Sequence, residues 1–125
     1  MTLNLLILNQ SVEEYKKVLQ PKFPGVVIHA AQNEGEAWEF IEEAHVLLTF
    51  KISDELIKKA SNLRWIQSLA TGVDRMFNLP SLRKEVLITS TRGIHRPQVS
   101  EMTFLLMLSL SRNFPQMVRN QDQGI

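Results

Sequence analysis

The sequence predicts an α/β fold built on a doubly wound, five-stranded parallel sheet, and two patterns support this prediction. Five short apolar runs alternate with stretches of helical periodicity, which is typical of βαβ units. The first run, residues 3–8, is almost continuously apolar and indicates a strand buried on both faces. Short right-handed crossovers then favour the flavodoxin-like strand order 2-1-3-4-5.

Each predicted strand is rich in branched or aromatic side chains. The five strands are Leu3–Leu8, Val26–Ala30, His45–Thr49, Trp65–Leu69 and Val86–Thr89. Ser11, Asn33 and Ser53 can cap the helices between them, and the second helix should carry Ala37 and Ile41 on one face. Residues 80–85 are expected to form a short helical turn.

The C-terminal segment predicts a long helix of a different kind. Pro97 suits a first helical turn, and residues 99–110 are apolar almost all round the helix axis. A helix on a sheet needs only one apolar stripe, so we expect a second domain or subunit to cover it. Asn113 then caps a further turn. We expect residues 1–112 to form one domain and 113–125 a helical linker.

Composition limits the function classes. The formal net charge is +1, with no broad basic field for nucleic acid or anionic membrane. No cysteine is present, which removes thiolate chemistry and fits a cytoplasmic protein. The longest apolar run, Phe104–Leu108, is too short to span a membrane. The sequence thus predicts a cytoplasmic domain that binds neither nucleic acid nor a membrane.

The turn at Thr71-Gly72 is the strongest candidate site. It follows the fourth predicted strand, and Val73-Asp74 would then open a helix. Backbone N–H groups in such a turn converge on one point and favour an anion, at the sheet edge where small ligands bind. We expect the turn to hold the carboxylate of a small acid. The alternative is an ordinary capped corner, with Thr71 as the N-cap and Asp74 three residues on.

Other candidates follow neighbouring strands at the same edge. Lys51, flanked by Phe50 and Ile52, could face the same anion or point into solvent. Arg92 could balance a substrate's negative charge or remain solvated. His95 could line the ligand cleft or cap the long helix.

Several kinds of chemistry are missing. The five glycines are too scattered for a dinucleotide fingerprint or a P-loop. His29, His45 and His95 have no metal-ligand spacing, and the first two are expected to be partly buried strand residues. No serine–histidine–acid arrangement or acid–base pair of carboxylates is evident.

Several spaced motifs nevertheless agree in order with one family. Residues 63–74 (Leu-Arg-Trp-Ile-Gln-Ser, then Ala-Thr-Gly-Val-Asp), 86–101 and 110–115 resemble the N-terminal substrate-binding domain of the D-isomer-specific 2-hydroxyacid dehydrogenases. The resemblance implies a two-domain, NAD(P)-dependent oxidoreductase that interconverts 2-hydroxy and 2-oxo acids, usually as a homodimer. Met102 departs from the histidine that often follows the glutamate in that family.

The resemblance also implies roles for particular residues. Backbone amides of Thr71 and Gly72 would hold the substrate carboxylate, and residues 50–52 would form a second wall of the cleft. The nucleotide loop and the catalytic arginine, glutamate and histidine would belong to later sequence, beyond the linker at 113–125. No catalytic residue is therefore assigned, and the chain alone is expected to be inactive with neither NAD nor NADP bound.

The same fold can serve three other functions. A phosphorylatable receiver domain needs acidic residues where Asn9-Gln10 and Phe50-Lys51 stand. A flavin-binding electron carrier needs a phosphate loop that residues 9–11 hardly supply. A non-catalytic domain that pairs through the apolar long helix stays open.

Overall fold

The computed structural model describes residues 2–125. The chain folds into two compact units. The first unit runs to Arg92 and the second comprises Gly93–Ile125. In the first unit the strands are β1 (Leu3–Leu8), β2 (Val26–Ala31), β3 (Val46–Thr49), β4 (Trp65–Ser68) and β5 (Leu87–Ser90). Its helices are α1 (Val12–Leu19), α2 (Glu34–Ala37), α3 (Asp54–Lys59) and α4 (Asp74–Phe77).

The five strands form one parallel sheet in the order β2-β1-β3-β4-β5, so the predicted fold class and order are confirmed. The register pairs Leu8 with both Ala31 and Thr49, and continues from Thr49 to Ser68 and from Ser68 to Ser90. The last residues of all five strands therefore lie in one row. The loops that follow them share one edge of the sheet.

Helices pack against both faces of the sheet, although on the Ile7 face Trp65 of β4 and Leu87 of β5 stay 39% and 60% exposed. Successive side chains of β1 point to opposite faces, so Leu6 and Ile7 belong to different apolar clusters. The larger cluster joins Leu6 and Ile66 to side chains of α2 and α3, and the smaller joins Ile7 to Val12 of α1. Leu6, Ile7 and Ile66 are fully buried. This is the burial on both faces that the apolar run of β1 predicted.

The helix after β2 is shorter than expected. Asn33 caps α2 by accepting a hydrogen bond from the Glu36 N–H at 3.0 Å, but the regular helix ends at Ala37. The Ala37 carbonyl accepts from both Phe40 and Ile41, the shared bond typical of a helix end that tightens into turns. Ile41 is still fully buried, so the apolar spacing predicted its burial but not the length of the helix.

Other boundaries shift slightly. β3 and β5 begin one residue later than predicted, while β4 ends one residue earlier. Residues 80–85 form turns without a helix. The side chain of Ser53 caps α3, whereas Ser11 stands before α1 without a side-chain capping bond.

The second unit contains two helices. α5 (Arg96–Ser111) carries Pro97 in its first turn, and α6 (Phe114–Asp122) is longer than the single turn expected. Asn113 separates them with a left-handed backbone (φ 51°), which asparagine tolerates better than most residues. No residue of Gly93–Ile125 is buried. Among residues 2–125, no helix is long and apolar enough to cross a membrane.

Candidate active site

A groove of about 650 Å³ lies at the carboxyl edge of the sheet, beside the ends of β3 and β4. We call it the turn groove. Its lining residues are Phe50, Lys51, Ile52, Ala70, Gly72, Val73, Asp74, Arg75, Met76 and Leu79. The structure thus brings together four of the seven predicted site residues, namely residues 50–52 and Gly72. The two loops that carry them were predicted to share this edge.

The turn after β4 presents a row of unpaired backbone donors. Leu69 N–H donates to the Thr49 carbonyl at 2.9 Å, and Ala70 N–H donates to Ser68 Oγ at 3.1 Å. From Thr71 to Arg75, no backbone N–H donates to any atom of residues 2–125. N–H groups without a partner in the protein need water or a ligand instead. The turn therefore has donors available for an anion.

The capped-corner alternative does not describe this turn. The residue before α4 is Val73, and α4 has no side-chain capping bond. Thr71 lies in the turn with an exposed side chain and does not line the turn groove, although its neighbour Gly72 does. Within residues 2–125, the groups at Thr71 and Gly72 that stay free for a ligand are the two main-chain N–H donors and the exposed Thr71 hydroxyl.

Gly72 leaves the backbone open to approach from the groove. A Cβ atom built at this position would meet only Asp74 Oδ2, at 3.8 Å, which is an ordinary van der Waals contact. The glycine is therefore not required by crowding from the rest of the chain. Its hydrogen side chain leaves space above the peptide that a methyl group would fill.

The wall formed by residues 50–52 is held at both ends. Thr49, almost fully buried, donates from Oγ1 to the Lys51 carbonyl at 2.7 Å. Just beyond Ile52, the Ser53 N–H and hydroxyl both donate to the Glu34 carboxylate, the N–H at 2.7 Å. Ser53 Oγ in turn accepts from the Leu56 N–H at 3.3 Å. These bonds fix the backbone that carries Phe50 and Lys51.

The opposite side of the groove is held in the same way. Asp54, the first residue of α3, accepts from the Ser81 N–H and hydroxyl at 2.8 Å each. This pair holds the chain just after Leu79, which lines the groove. Sequence reasoning missed Glu34, Asp54 and Ser81. Asp54 was visible as an acid in a helical first turn, but its partner lies 27 residues away, beyond any local pattern.

The charges on the groove wall sum to one net positive. Lys51 and Arg75 are the cations and Asp74 is the anion, and all three side chains are exposed. Together with the free N–H groups, this balance suits a small monoanion. Solvent exposure keeps the contribution of each side chain modest.

Arg92 does not line this groove, and His95 belongs to the other unit of the chain. Arg92 is exposed in the turn after β5 and is absent from the groove lining. His95 belongs to the second unit, where it precedes α5 with an exposed side chain and no side-chain capping bond. The capping alternative for His95 is thus not observed.

The other two histidines are structural. The His29 ring stacks on Phe40 with centroids 4.6 Å apart, and His45 Nδ1 accepts from the Asn4 N–H at 3.1 Å. Both are partly buried, as their positions predicted. Within residues 2–125, no group of three His, Cys, Asp or Glu side chains could hold a metal ion.

Comparison with known proteins identifies the family. Residues 5–124 match the model of the D-isomer specific 2-hydroxyacid dehydrogenase catalytic domain, so the chain belongs to this family. The chain is 26% identical, over 123 residues, to a D-3-phosphoglycerate dehydrogenase of Methanocaldococcus jannaschii. The predicted resemblance is confirmed.

Solved structures agree with this assignment. A D-isomer specific 2-hydroxyacid dehydrogenase family protein from Aeromonas salmonicida matches the whole chain at a TM-score of 0.85 and 32% identity. A D-isomer specific 2-hydroxyacid dehydrogenase from Xanthobacter autotrophicus, solved with NADPH and MES, matches 99% of the chain at a TM-score of 0.74 and 21% identity, a likeness of fold.

The chain corresponds to only part of these relatives. The match to the Methanocaldococcus protein spans 96% of this chain but only 23% of that protein. This chain covers 41% of the Aeromonas chain and 40% of the Xanthobacter chain.

Proposed function

We propose that this chain is the substrate-binding domain of an NAD(P)-dependent oxidoreductase that interconverts D-2-hydroxy acids and 2-oxo acids. Family membership supports the reaction class. The row of free N–H groups from Thr71 to Arg75, with Gly72 facing the turn groove, is the observation that supports the binding role. In this proposal those N–H groups donate hydrogen bonds to the carboxylate oxygens of the acid.

The groove would bind and orient the acid. Two backbone N–H bonds hold both oxygens of a carboxylate in a fixed direction, and Lys51 adds a positive charge on the facing wall. Phe50 and Ile52 give that wall an apolar surface beside the acid. Arg92 and His95 follow β5 and stay candidates for contacts with the same acid.

The cofactor site is proposed to lie outside this chain. The Xanthobacter relative was solved with NADPH, and a nicotinamide supplies or accepts the hydride when it is bound. The glycines of this chain, at positions 25, 35, 72, 93 and 124, are too far apart to cradle a dinucleotide phosphate. We propose that residues 1–112 form the substrate domain and that 113–125 lead toward a nucleotide-binding domain.

We further propose that the enzyme is a cytoplasmic homodimer that uses the apolar side chains of α5. These side chains are exposed all round the helix, for example Phe104 at 63% and Leu108 at 61%. Large apolar surfaces of this kind mark interaction sites. The same helix supports the second candidate, a non-catalytic domain that associates through α5 without binding an acid.

Activity and binding assays test the proposal. The purified chain, given NADH or NADPH with glyoxylate, pyruvate or hydroxypyruvate, should show no turnover, and turnover would refute the proposal that the cofactor site lies outside residues 1–125. Calorimetry with glycolate should detect weak binding that Gly72→Ala abolishes while the melting temperature stays unchanged. If light scattering shows a dimer and calorimetry shows no glycolate binding, the second candidate is favoured.

A further inference from the structure

A second groove of about 680 Å³ opens beside the turn groove, at the carboxyl ends of β1, β2 and β3. We call it the switch groove, because the sheet order reverses direction between β1 and β3. In open α/β sheets, ligands bind preferentially at such a switch point. Phe50 and Lys51 line both grooves. One ligand could thus contact both.

The switch groove is lined by carboxamides from two strand ends. Asn9 and Gln10 follow β1, while Gln32 and Asn33 follow β2. Asn9 and Asn33 side chains are engaged, with the Ser11 N–H and with Glu36 respectively. The exposed side chains of Gln10 and Gln32 make no hydrogen bond to any of residues 2–125. A carboxamide both donates and accepts, as a hydroxyl does, so these two groups suit a hydroxylated ligand.

The charges in the switch groove favour a neutral ligand portion. Glu34 lines the groove with its carboxylate bound to Ser53, and Lys51 is the cation on the wall that it shares with the turn groove. An anionic group deep in the switch groove would face the Glu34 charge, whereas hydroxyls would not. The half-exposed Phe50 ring adds an apolar face for the C–H groups of a polyol chain.

We propose that the switch groove binds the hydroxylated tail of the substrate, so that the enzyme acts on polyhydroxylated 2-hydroxy or 2-oxo acids. This inference rests on the proposed function, since it needs the carboxylate to be held at Gly72. The acid then extends past Lys51, and its tail hydroxyls meet Gln10 and Gln32. The tail contacts then determine which acid is preferred, and the carboxylate contacts supply the affinity that all of the acids share.

Three acids distinguish binding of the 2-hydroxy acid head from binding of the tail. Glycolate has the head alone, gluconate adds a hydroxylated four-carbon tail, and 2-hydroxyhexanoate adds a four-carbon tail without hydroxyls. Amide NMR titrations of the chain should show Gly72 shifted by all three, with the Gln10 and Gln32 side-chain NH₂ signals shifted by gluconate alone. Gluconate should bind about three- to tenfold more tightly than 2-hydroxyhexanoate, the gain expected from one or two net hydrogen bonds.

Matched variants locate the effect. Gln32→Leu and Gln10→Leu should each remove most of the gluconate advantage and leave glycolate binding unchanged. Gln123→Leu, an exposed glutamine of the second unit, should change neither. Equal affinity for gluconate and 2-hydroxyhexanoate, or a gluconate advantage that survives both variants, would overturn the inference. If no acid shifts Gly72, the proposed function itself fails, and the two failures are thereby distinguished.

Discussion

The two units of this chain carry similar apolar side chains in opposite environments. In the sheet unit, leucines such as Leu6, Leu47 and Leu56 are fully buried between strands and helices. In Gly93–Ile125, leucines 105, 106, 108 and 110 are between 56% and 78% exposed. The same residue type therefore stabilises the first unit directly, whereas in the second its apolar surface is available to a partner. We infer that apolar side chains serve folding in the first unit and association in the second.

A matched pair of leucine truncations tests whether leucines stabilise the first unit but not the second. Leu6→Ala removes buried side-chain atoms and leaves a cavity, so we expect a loss of about 3 kcal/mol in the free energy of unfolding. Leu106→Ala removes exposed atoms, and we expect a change within about 0.5 kcal/mol. Urea unfolding followed by circular dichroism at low protein concentration measures both. Equal losses would show that α5 contributes to the core.

Charges on α5 should act on association instead. Phe104→Glu combined with Leu108→Glu places two carboxylates four residues apart on one helix face. We expect the dissociation constant of the proposed dimer to rise roughly tenfold or more, since charges are disfavoured in a desolvated interface. Light scattering across a concentration series checks this, with Val18→Glu, at an exposed position of α1, as control. A wild-type chain that is monomeric at every concentration contradicts the dimer.

Within the sheet unit, Ser11 and Ser53 each precede a helix, but they differ in whether the side chain makes a capping hydrogen bond. Ser53 bonds both the Leu56 N–H and the Glu34 carboxylate, whereas Ser11 has no side-chain capping bond. We expect Ser53→Ala to cost about 1–2 kcal/mol of unfolding free energy and Ser11→Ala less than about 0.5 kcal/mol. Thermal and urea denaturation of both variants test this. A Ser53 variant as stable as wild type would remove the proposed anchor of the groove wall.

The smallest effect concerns ligand affinity. Lys51→Met should weaken glycolate binding about two- to threefold at low salt, because an exposed ammonium contributes little to an ion pair. The difference should shrink as ionic strength rises. Lys58→Met, on α3 and outside the turn groove, provides the control. A loss that persists undiminished in high salt would mean that Lys51 acts by packing rather than by charge.

The sheet was predictable because its signals are local. Apolar runs and helical periodicity are read within a few residues, and short right-handed crossovers then favour the strand order that is observed. The meeting of residues 50–52 with Gly72 followed from the rule that parallel strands end at one edge. The Asn33 and Ser53 caps were local as well, and both are observed.

The remainder depended on contacts distant in sequence. The Glu34–Ser53 and Asp54–Ser81 pairs span 19 and 27 residues, and nothing local indicates either. α2 stops at Ala37 although its apolar spacing continues to Ile41, and Ile41 is buried by the turns that follow. Spacing reports which side chains are buried, and the tertiary environment decides how the backbone achieves it.

Backbone amide NMR during a glycolate titration tests the central claim most directly. The account predicts that the largest shifts fall on Thr71 and Gly72, extend toward Arg75, and spare Gly25 and Gly124, which lie outside the turn groove. The response should saturate and should disappear in Gly72→Ala while that variant keeps the wild-type fold. Saturating shifts located elsewhere, with Thr71 and Gly72 unmoved, would contradict carboxylate binding at this turn.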